Sequence, residues 1–331
     1  MKQVAAISTG PTTHLDHLAP LCALLDVPLI VPESEQLEIG KTFYPMVEFE
    51  HLPLVQLSLD YLATHFDAVI ECGKFWAIAL KPMIELLYQK ELRVIFSPHG
   101  QSDKESFLKN RIDQDIDLAY GPLMLKEKGK KNVVETGNLR HWFYQTHKNH
   151  FDRLAQSRIF SQLDKKKKTL LYAPTWSTSA SLTSFFDDTD RIVAAYARDY
   201  NLIIKPHPLL EENHPAHLFR IVEQNNDKAL FLTDFPAIYP LLEKTDIYLG
   251  DTSSIGYDFL YYNRPLFFLK KGGRLQKCGK YLRELEEIKN PQNELKDERE
   301  ELYKEAFGKE CDPKQVRKNI EALLHRAPIT N

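Results

Sequence analysis

The sequence predicts an α/β protein built from two parallel-sheet halves, and three observations carry that expectation. Short apolar runs of strand length recur along most of the chain. Amphipathic stretches with helical spacing separate them. A polar stretch ending in a lysine run interrupts the series near its middle. At 331 residues the chain is also long enough for two domains of ordinary size.

In the first half, residues 4–8, 28–31, 68–71, 94–97 and 118–120 read as buried strands, and 133–135 as a shorter one. A helix is expected over 75–90, where Ile78, Met83, Ile84, Leu86 and Leu87 fall at helical spacing. Residues 140–168 are polar and read as a helical crossover, with the lysines at 165–168 forming a solvated linker face. Strands resume at 169–173, 202–205, 229–232, 247–250 and 266–269, with helices near 190–200, 215–225, 237–244 and 254–262. From Lys289 the chain is charged and helical. Asp312-Pro313 then opens a last helix, with Asp as N-cap and Pro at the first helical position. The expected architecture is two Rossmann-like domains facing across a cleft in the GT-B manner. Residues 1–150 form the acceptor side, and 151–331 the donor side with a last helix able to cross back.

Composition narrows the class. The chain is 43% hydrophobic and 27% charged with a net charge of −3, a globular balance that argues against a nucleic-acid partner. The 4 cysteines, Cys22, Cys72, Cys278 and Cys311, lie far apart with no CxxC pair, which suits a reducing cytosol. The N-terminus reads as a first strand, not a signal peptide. No stretch approaches the roughly 18 apolar residues of a membrane span. The expected location is therefore cytoplasmic, with peripheral attachment to the inner face of the membrane left open.

Four constellations place polar residues or glycine just after a buried strand, where open parallel sheets bind ligands. The first is Ser97-Pro98-His99-Gly100-Gln101-Ser102-Asp103-Lys104. A histidine on such a turn is a candidate general base, Lys104 a candidate phosphate contact, and an ordinary loop histidine the plain alternative. The second, Tyr172-Ala173-Pro174-Thr175-Trp176, offers hydroxyls and backbone amides to a phosphate or ribose, or else shapes a rigid corner. The third is Lys205-Pro206-His207-Pro208. Two prolines hold His207 extended, and a donor fixed there suits a diphosphate. The fourth runs from Gly250 through Asp251, Thr252, Ser253 and Ser254 to Asp258, a hydroxyl-rich turn into a helix that suits an anion and equally suits N-capping. Asp258, one turn along, is read as facing either cleft or solvent. His14 and His17 are placed in the loop after the first strand, where they line the acceptor side. There is no metal-ligand spacing of His and Glu, no DxD pair in a strand-end loop, no Gly-x-Gly-x-x-Gly and no Walker loop.

Taken together and in order, these pieces resemble the CDP-glycerol glycerophosphotransferase family, the teichoic-acid glycerol-phosphate primases and polymerases. The resemblance rests on His99-Gly100 with Lys104, on VETGNLR ending at Arg140, on YAPTW, on KPHP, and on DTSSIGYDFLYYNRP from Asp251 to Pro265. It covers about half the chain. Thr252 stands where the family commonly has an aromatic residue, and Gly137-Asn138-Leu139-Arg140 replaces its usual Pro-Arg-Asn-Asp-like stretch.

The resemblance implies a GT-B transferase with no metal and no cofactor beyond its CDP-linked substrate. His99 takes a proton from an acceptor hydroxyl, which attacks the β-phosphorus of a CDP-polyol and expels CMP. His207 sits near the donor diphosphate, with Tyr172, Pro174, Thr175, Lys205, Asp251, Thr252, Ser253, Ser254 and Asp258 on the donor side. His14, Gly100, Lys104 and Arg140 lie on the acceptor side, and the acceptor is a cell-envelope glycan or lipid-linked hydroxyl. The alternatives are a GT-B glycosyltransferase or nucleotide-sugar epimerase using UDP- or GDP-sugars, and a non-catalytic nucleotide-binding protein.

Overall fold

The computed structural model describes residues 3–72, 79–103, 115–128, 132–177, 183–288, 291 and 293–325. The chain forms two compact units. The first comprises Met1–His99, Asn110–Thr146 and Ala306–Asn331, and the second Gly100–Lys109 and His147–Glu305. The chain thus passes from one to the other at 146/147, inside the polar stretch read as the crossover, and residues from Ala306 onward return to the first unit.

The first unit holds seven parallel strands: β1 (Val4–Ile7), β2 (Leu29–Val31), β3 (Phe49–His51), β4 (Ala68–Glu71), β5 (Arg93–Phe96), β6 (Ile116–Ala119) and β7 (Val133–Glu135), in the order β3-β2-β1-β4-β5-β6-β7. Every residue of β4 and β5 is buried, which is why Ala68–Ile70 and Val94–Phe96 read as apolar runs and not as alternations. Ile7, Ile30, Leu62, Val69, Ile84 and Val94 share one core cluster.

The second unit holds six parallel strands: β8 (Thr169–Ala173), β9 (Asn201–Ile204), β10 (Leu230–Phe231), β11 (Ile247–Gly250), β12 (Leu266–Phe268) and β13 (Lys280–Tyr281), ordered β10-β9-β8-β11-β12-β13. β8 and β11 are buried throughout, and Leu170, Tyr172, Tyr196, Leu202, Ile247 and Leu249 form the core beside them. In both sheets the order reverses once, between β1 and β4 and between β8 and β11. At these switch points the connections leave in opposite directions, so a crevice opens at the strands' carboxyl ends.

The differences from expectation have plain causes. β3 and β13 are absent from the reading because they are short edge strands with exposed polar residues and no apolar run. Helix Leu15–Leu25 was hidden by its internal Pro20, which reads as a breaker although the helix is almost wholly buried. The helix expected over 75–90 is seen as Lys81–Tyr88, with 75–78 outside the described residues. The helix expected at 190–200 starts earlier, at Phe185, with Asp187 and Asp188 in its first turn where acidic side chains favour the dipole. The last helix, Pro313–Leu324, starts as expected: the Asp312 carboxylate accepts the Gln315 N–H at 3.1 Å.

That returning arm packs closely on the first unit. Arg93 donates to the carbonyls of Leu323 and Leu324 at 2.9 and 3.0 Å, satisfying the end of the last helix. A Cβ on Gly121 would come within 2.5 Å of the Gly308 nitrogen and 2.6 Å of the Phe307 carbonyl carbon, both backbone atoms with no rotamer to yield. Gly121→Ala is therefore expected to lose about 1–3 kcal/mol of stability by overpacking, read as a lower midpoint in urea unfolding. An unchanged midpoint would show that the arm is not held there.

Candidate active site

The first unit brings His99, His14 and His17 together at the carboxyl ends of β1, β4, β5 and β6. His99 follows β5 and is solvent-accessible. Its Nδ1 lies 3.2 Å from the Cys72 carbonyl oxygen at the end of β4. A carbonyl only accepts, so Nδ1 carries the proton and the lone pair of the neutral ring resides on Nε2. The surrounding protein lowers the His99 pKa from its ordinary value, partly offset by the bond to Cys72. A neutral imidazole with its lone pair on Nε2 is the form a general base requires.

His14 ends a short 3₁₀ turn after β1, and its ring centroid lies 5.1 Å from that of His99. Burial, then the neighbouring His99, depresses its pKa to about 3. His17 is not in the loop as expected: the helix beginning at Leu15 takes it inward, where it is buried and its Nδ1 meets the Tyr120 hydroxyl at 2.9 Å. Arg140 is also buried. It pairs with Asp16 at 3.1 Å, and Asp16 accepts the Tyr44 hydroxyl at 3.0 Å. The Arg140 charge is therefore matched within the unit.

In the second unit the switch point between β8 and β11 is organised by Asp251. Its carboxylate is fully buried, and Oδ2 accepts the backbone N–H of Thr175 at 3.1 Å and of Ser184 at 3.0 Å. Burial raises the Asp251 pKa, and the two N–H bonds together with Lys270 pull against that shift. Among the described residues Oδ1 has no hydrogen-bond partner. Tyr172 points into the core, its hydroxyl 2.8 Å from the Ser184 Oγ, so it supports this loop from beneath. Pro174 and Thr175 are buried at the strand's end. Gly250 is required here: a Cβ would lie 2.5 Å from the Tyr248 hydroxyl and 2.9 Å from the Ala173 carbonyl oxygen.

The remaining predicted residues fall around this centre. Lys205 is buried and donates to the Phe235 carbonyl at 2.7 Å. His207 is held extended (φ −71, ψ 137) between its prolines, as expected, and caps helix Pro208–Asn213 by accepting the Leu209 N–H on Nδ1. A neutral His207 therefore presents its proton on Nε2, and the Trp176 ring lies 6.1 Å away. Ser253 occupies the N-cap of helix Ser254–Phe259, but its hydroxyl makes no capping bond. Thr252 and Ser254 are partly exposed. Asp258 faces neither cleft nor solvent: it is buried and accepts the Tyr239 hydroxyl at 2.9 Å, because its turn of helix packs onto helix Ile238–Glu243. Gly100 falls in the second unit, where φ +133 and a Cβ position 2.6 Å from the Ser254 Cβ both demand glycine. Lys104 lies outside the described residues.

Several contributors carried no assigned role in the sequence. Asp103 accepts from Tyr257 at 2.7 Å and from Arg274 Nε at 2.8 Å, which settles residues 100–103 on the second unit. Ser184, nine residues past Thr175 by number, has no motif around it. The Cys72 carbonyl is a backbone group and leaves no trace in residue identity. Only Tyr120, following a buried strand, offered a signal of the kind used for the four constellations.

Residues 127–273 match the model of the family described as CDP-Glycerol:Poly(glycerophosphate) glycerophosphotransferase. That stretch contains Arg140, YAPTW, KPHP and the Asp251 turn; His99 precedes it. A teichoic acid poly(glycerol phosphate) polymerase of Bacillus spizizenii is 28% identical over 181 residues, 50% of this chain and 43% of that protein. The teichoic acid ribitol-phosphate polymerase TarL of Staphylococcus aureus is 25% identical over 174 residues, 49% of this chain and 29% of that protein. The chain therefore matches less than half the length of these relatives. Among solved structures, the H548A variant of the wall teichoic acid polymerase TagF superposes with a TM-score of 0.65 at 15% identity, covering 97% of this chain and 88% of that one. HepE of Anabaena in complex with UDP-glucose superposes with a TM-score of 0.54 at 12% identity, covering 98% of this chain and 99% of that one. The fold is two Rossmann-like parallel sheets of the GT-B type, and the resemblance read from the motifs holds.

The state of His14 has a consequence for stability. Its folded pKa, about 3, lies below its ordinary 6.5, so the unfolded chain binds a proton that the folded chain refuses. The stability this neutral histidine leaves intact is complete above pH 6.5 and falls as pH drops from 6.5 toward 3. His14→Gln is expected to flatten that decline in urea unfolding measured across the window, and an unchanged slope would contradict the assignment.

Proposed function

We propose that this chain, whose residues 127–273 carry the glycerophosphotransferase family pattern, transfers a polyol-phosphate group from a CDP-activated donor to a hydroxyl of a cell-envelope glycan or lipid-linked acceptor. One observation carries the reading. The matched stretch supplies the loops after β8, β9 and β11, and Asp251 binds two of their neighbouring segments together at the switch point. A diphosphate is the ligand such loops suit, with backbone amides, hydroxyls and the Nε2–H of His207 as donors.

His99 Nε2 accepts the proton of the acceptor hydroxyl. The acceptor oxygen forms a bond to the β-phosphorus of the CDP-polyol, the bond from that phosphorus to the bridging oxygen breaks, and CMP leaves with the electron pair. His207 stabilises charge growing on the leaving phosphate. No metal enters this scheme, since the protein donors carry that task. The enzyme works at the cytoplasmic face of the membrane. Among the described residues no helix is long and apolar enough to cross a membrane, while Leu86 and Leu87 on helix Lys81–Tyr88 are 79% and 62% exposed, which favours a peripheral contact.

A panel of CDP-, UDP- and GDP-linked donors tests the class. CMP release with a new phosphodiester, and thermal stabilisation by CDP-glycerol or CDP-ribitol, support the proposal. Release of UDP or GDP would replace it by glycosyl transfer. Loss of a general base costs on the order of 10²–10⁴ in rate. His99→Ala should therefore lower turnover by that factor with little change in donor affinity, whereas His207→Ala should weaken turnover and CMP affinity together. Wild-type activity in either variant removes that residue from the mechanism. Turnover is expected to survive EDTA; an absolute requirement for added Mg²⁺ or Mn²⁺ would overturn the metal-free scheme.

A further inference from the structure

We infer that His17 and Tyr120 are positioning residues for His99, acting through the carbonyl of Pro98. The inference deepens the proposed reaction and rests on His99 being its base. The Tyr120 hydroxyl lies 2.7 Å from the Pro98 carbonyl oxygen and 2.9 Å from His17 Nδ1. The carbonyl accepts only, so the hydroxyl hydrogen goes to Pro98, and the hydroxyl oxygen then receives a hydrogen from His17. The chain of donors has one direction: His17 Nδ1–H to Tyr120 Oη–H to Pro98 O. It fixes the His17 tautomer, and burial keeps that ring neutral by holding its pKa well below the ordinary value.

The end of this chain is the peptide group that carries His99. Pro98 lies beyond β5, so its carbonyl has no place in the strand ladder and needs a partner from elsewhere. Tyr120 supplies the short one, 2.7 Å, from the end of the neighbouring strand β6, against 3.5 Å for the Ser97 hydroxyl. With the backbone held there and the ring held by Nδ1–H to Cys72, His99 is fixed at two points, and the direction of its Nε2 lone pair follows.

Packing alone would not select these residues. Tyr120 is 5% exposed and rests on the Phe307 ring with centroids 5.7 Å apart, an environment that a phenylalanine fills as well. A buried hydroxyl and a buried imidazole are unfavourable unless bonded, and here each is bonded to the other. Their combined effect is spent on one backbone oxygen, next to the proposed base.

The full chain tests this in two ways. With the donor and acceptor that support CMP release, Tyr120→Phe is expected to lower kcat about 10- to 100-fold while the donor KM stays within about twofold, since misplacing a catalytic group by about 1 Å costs that much. His17→Leu should behave likewise, and His17→Asn, whose amide donates from near the Nδ1 position, should restore most of the loss. Wild-type kcat in Tyr120→Phe, alongside a His99→Ala that has lost turnover, would overturn the inference and leave the reaction standing. A loss confined to KM would overturn it too. The second readout needs no substrate. The ¹⁵N spectra of the histidine side chains should show His17 and His99 as Nδ1–H tautomers, with His99 shifting to a mixture in Tyr120→Phe; a His17 protonated on Nε2 would refute the chain of donors. Should His99→Ala match the wild type, the functional reading fails, and the spectra still decide whether the mounting exists.

Discussion

The arrangement at the second unit's switch point hangs on one buried carboxylate. Asp251 sits at the point where the second sheet reverses its order, and its Oδ2 draws in the amides of Thr175 and Ser184, which stand on either side of the loop after β8. Removing a charge from water is unfavourable, and hydrogen bonds to a charged acceptor are worth about 1.5–3 kcal/mol each, so the two amides offset much of that cost. The converse matters as much: without the carboxylate both N–H groups would be buried and unpaired, at about 1–3 kcal/mol apiece. Thr175 and Ser184 are therefore held by the turn after β11, a partner distant in sequence. Tyr172 and Gly250 serve the same arrangement. The first meets the Ser184 hydroxyl from below, and the second leaves room for the Ala173 carbonyl and the Tyr248 hydroxyl.

The first unit solves the opposite problem. Its polar centre keeps imidazoles neutral by burial, while hydrogen bonds to the Cys72 carbonyl and to Tyr120 set the tautomers of His99 and His17. Burial lowers the pKa of His14, His17 and His99 alike. The Arg140 charge, which bears on His17, is answered by Asp16. A base that must accept a proton at neutral pH benefits from starting uncharged.

How much of this was legible in the sequence depended on whether a signal was local. Strands with apolar runs announced themselves, whether buried throughout like β4, β8 and β11 or at an edge like β7, and these four fall where they were read. Edge strands β3 and β13 lack such runs, because solvent takes one side of them. The four loops were found because strand ends followed by Gly, Pro, His or Ser are conspicuous. What those side chains touch was not legible. Asp258 and Tyr172 turn inward, Lys205 is committed to the Phe235 carbonyl, and Arg140 to Asp16. Each partner lies far along the chain or is a backbone atom, so residue type alone carries no record of it.

Helix Leu15–Leu25 shows how a non-local arrangement is built from a local one. Asp16 and His17 are consecutive, so on a helix their side chains leave about 100° apart and reach different neighbours. Asp16 takes Tyr44 and Arg140, and His17 takes Tyr120. One turn of helix thereby ties the chain after β1 to helix Leu139–Thr146 and to the end of β6. His14 sits immediately before that turn, and its ring leaves no room for a Cβ on Gly10. The position of His14 beside His99 thus follows from two side chains that touch neither ring. Pro20, inside the same helix, removes the helical bond that residue 20 would give the Asp16 carbonyl, while the side chains of Asp16 and His17 keep their partners.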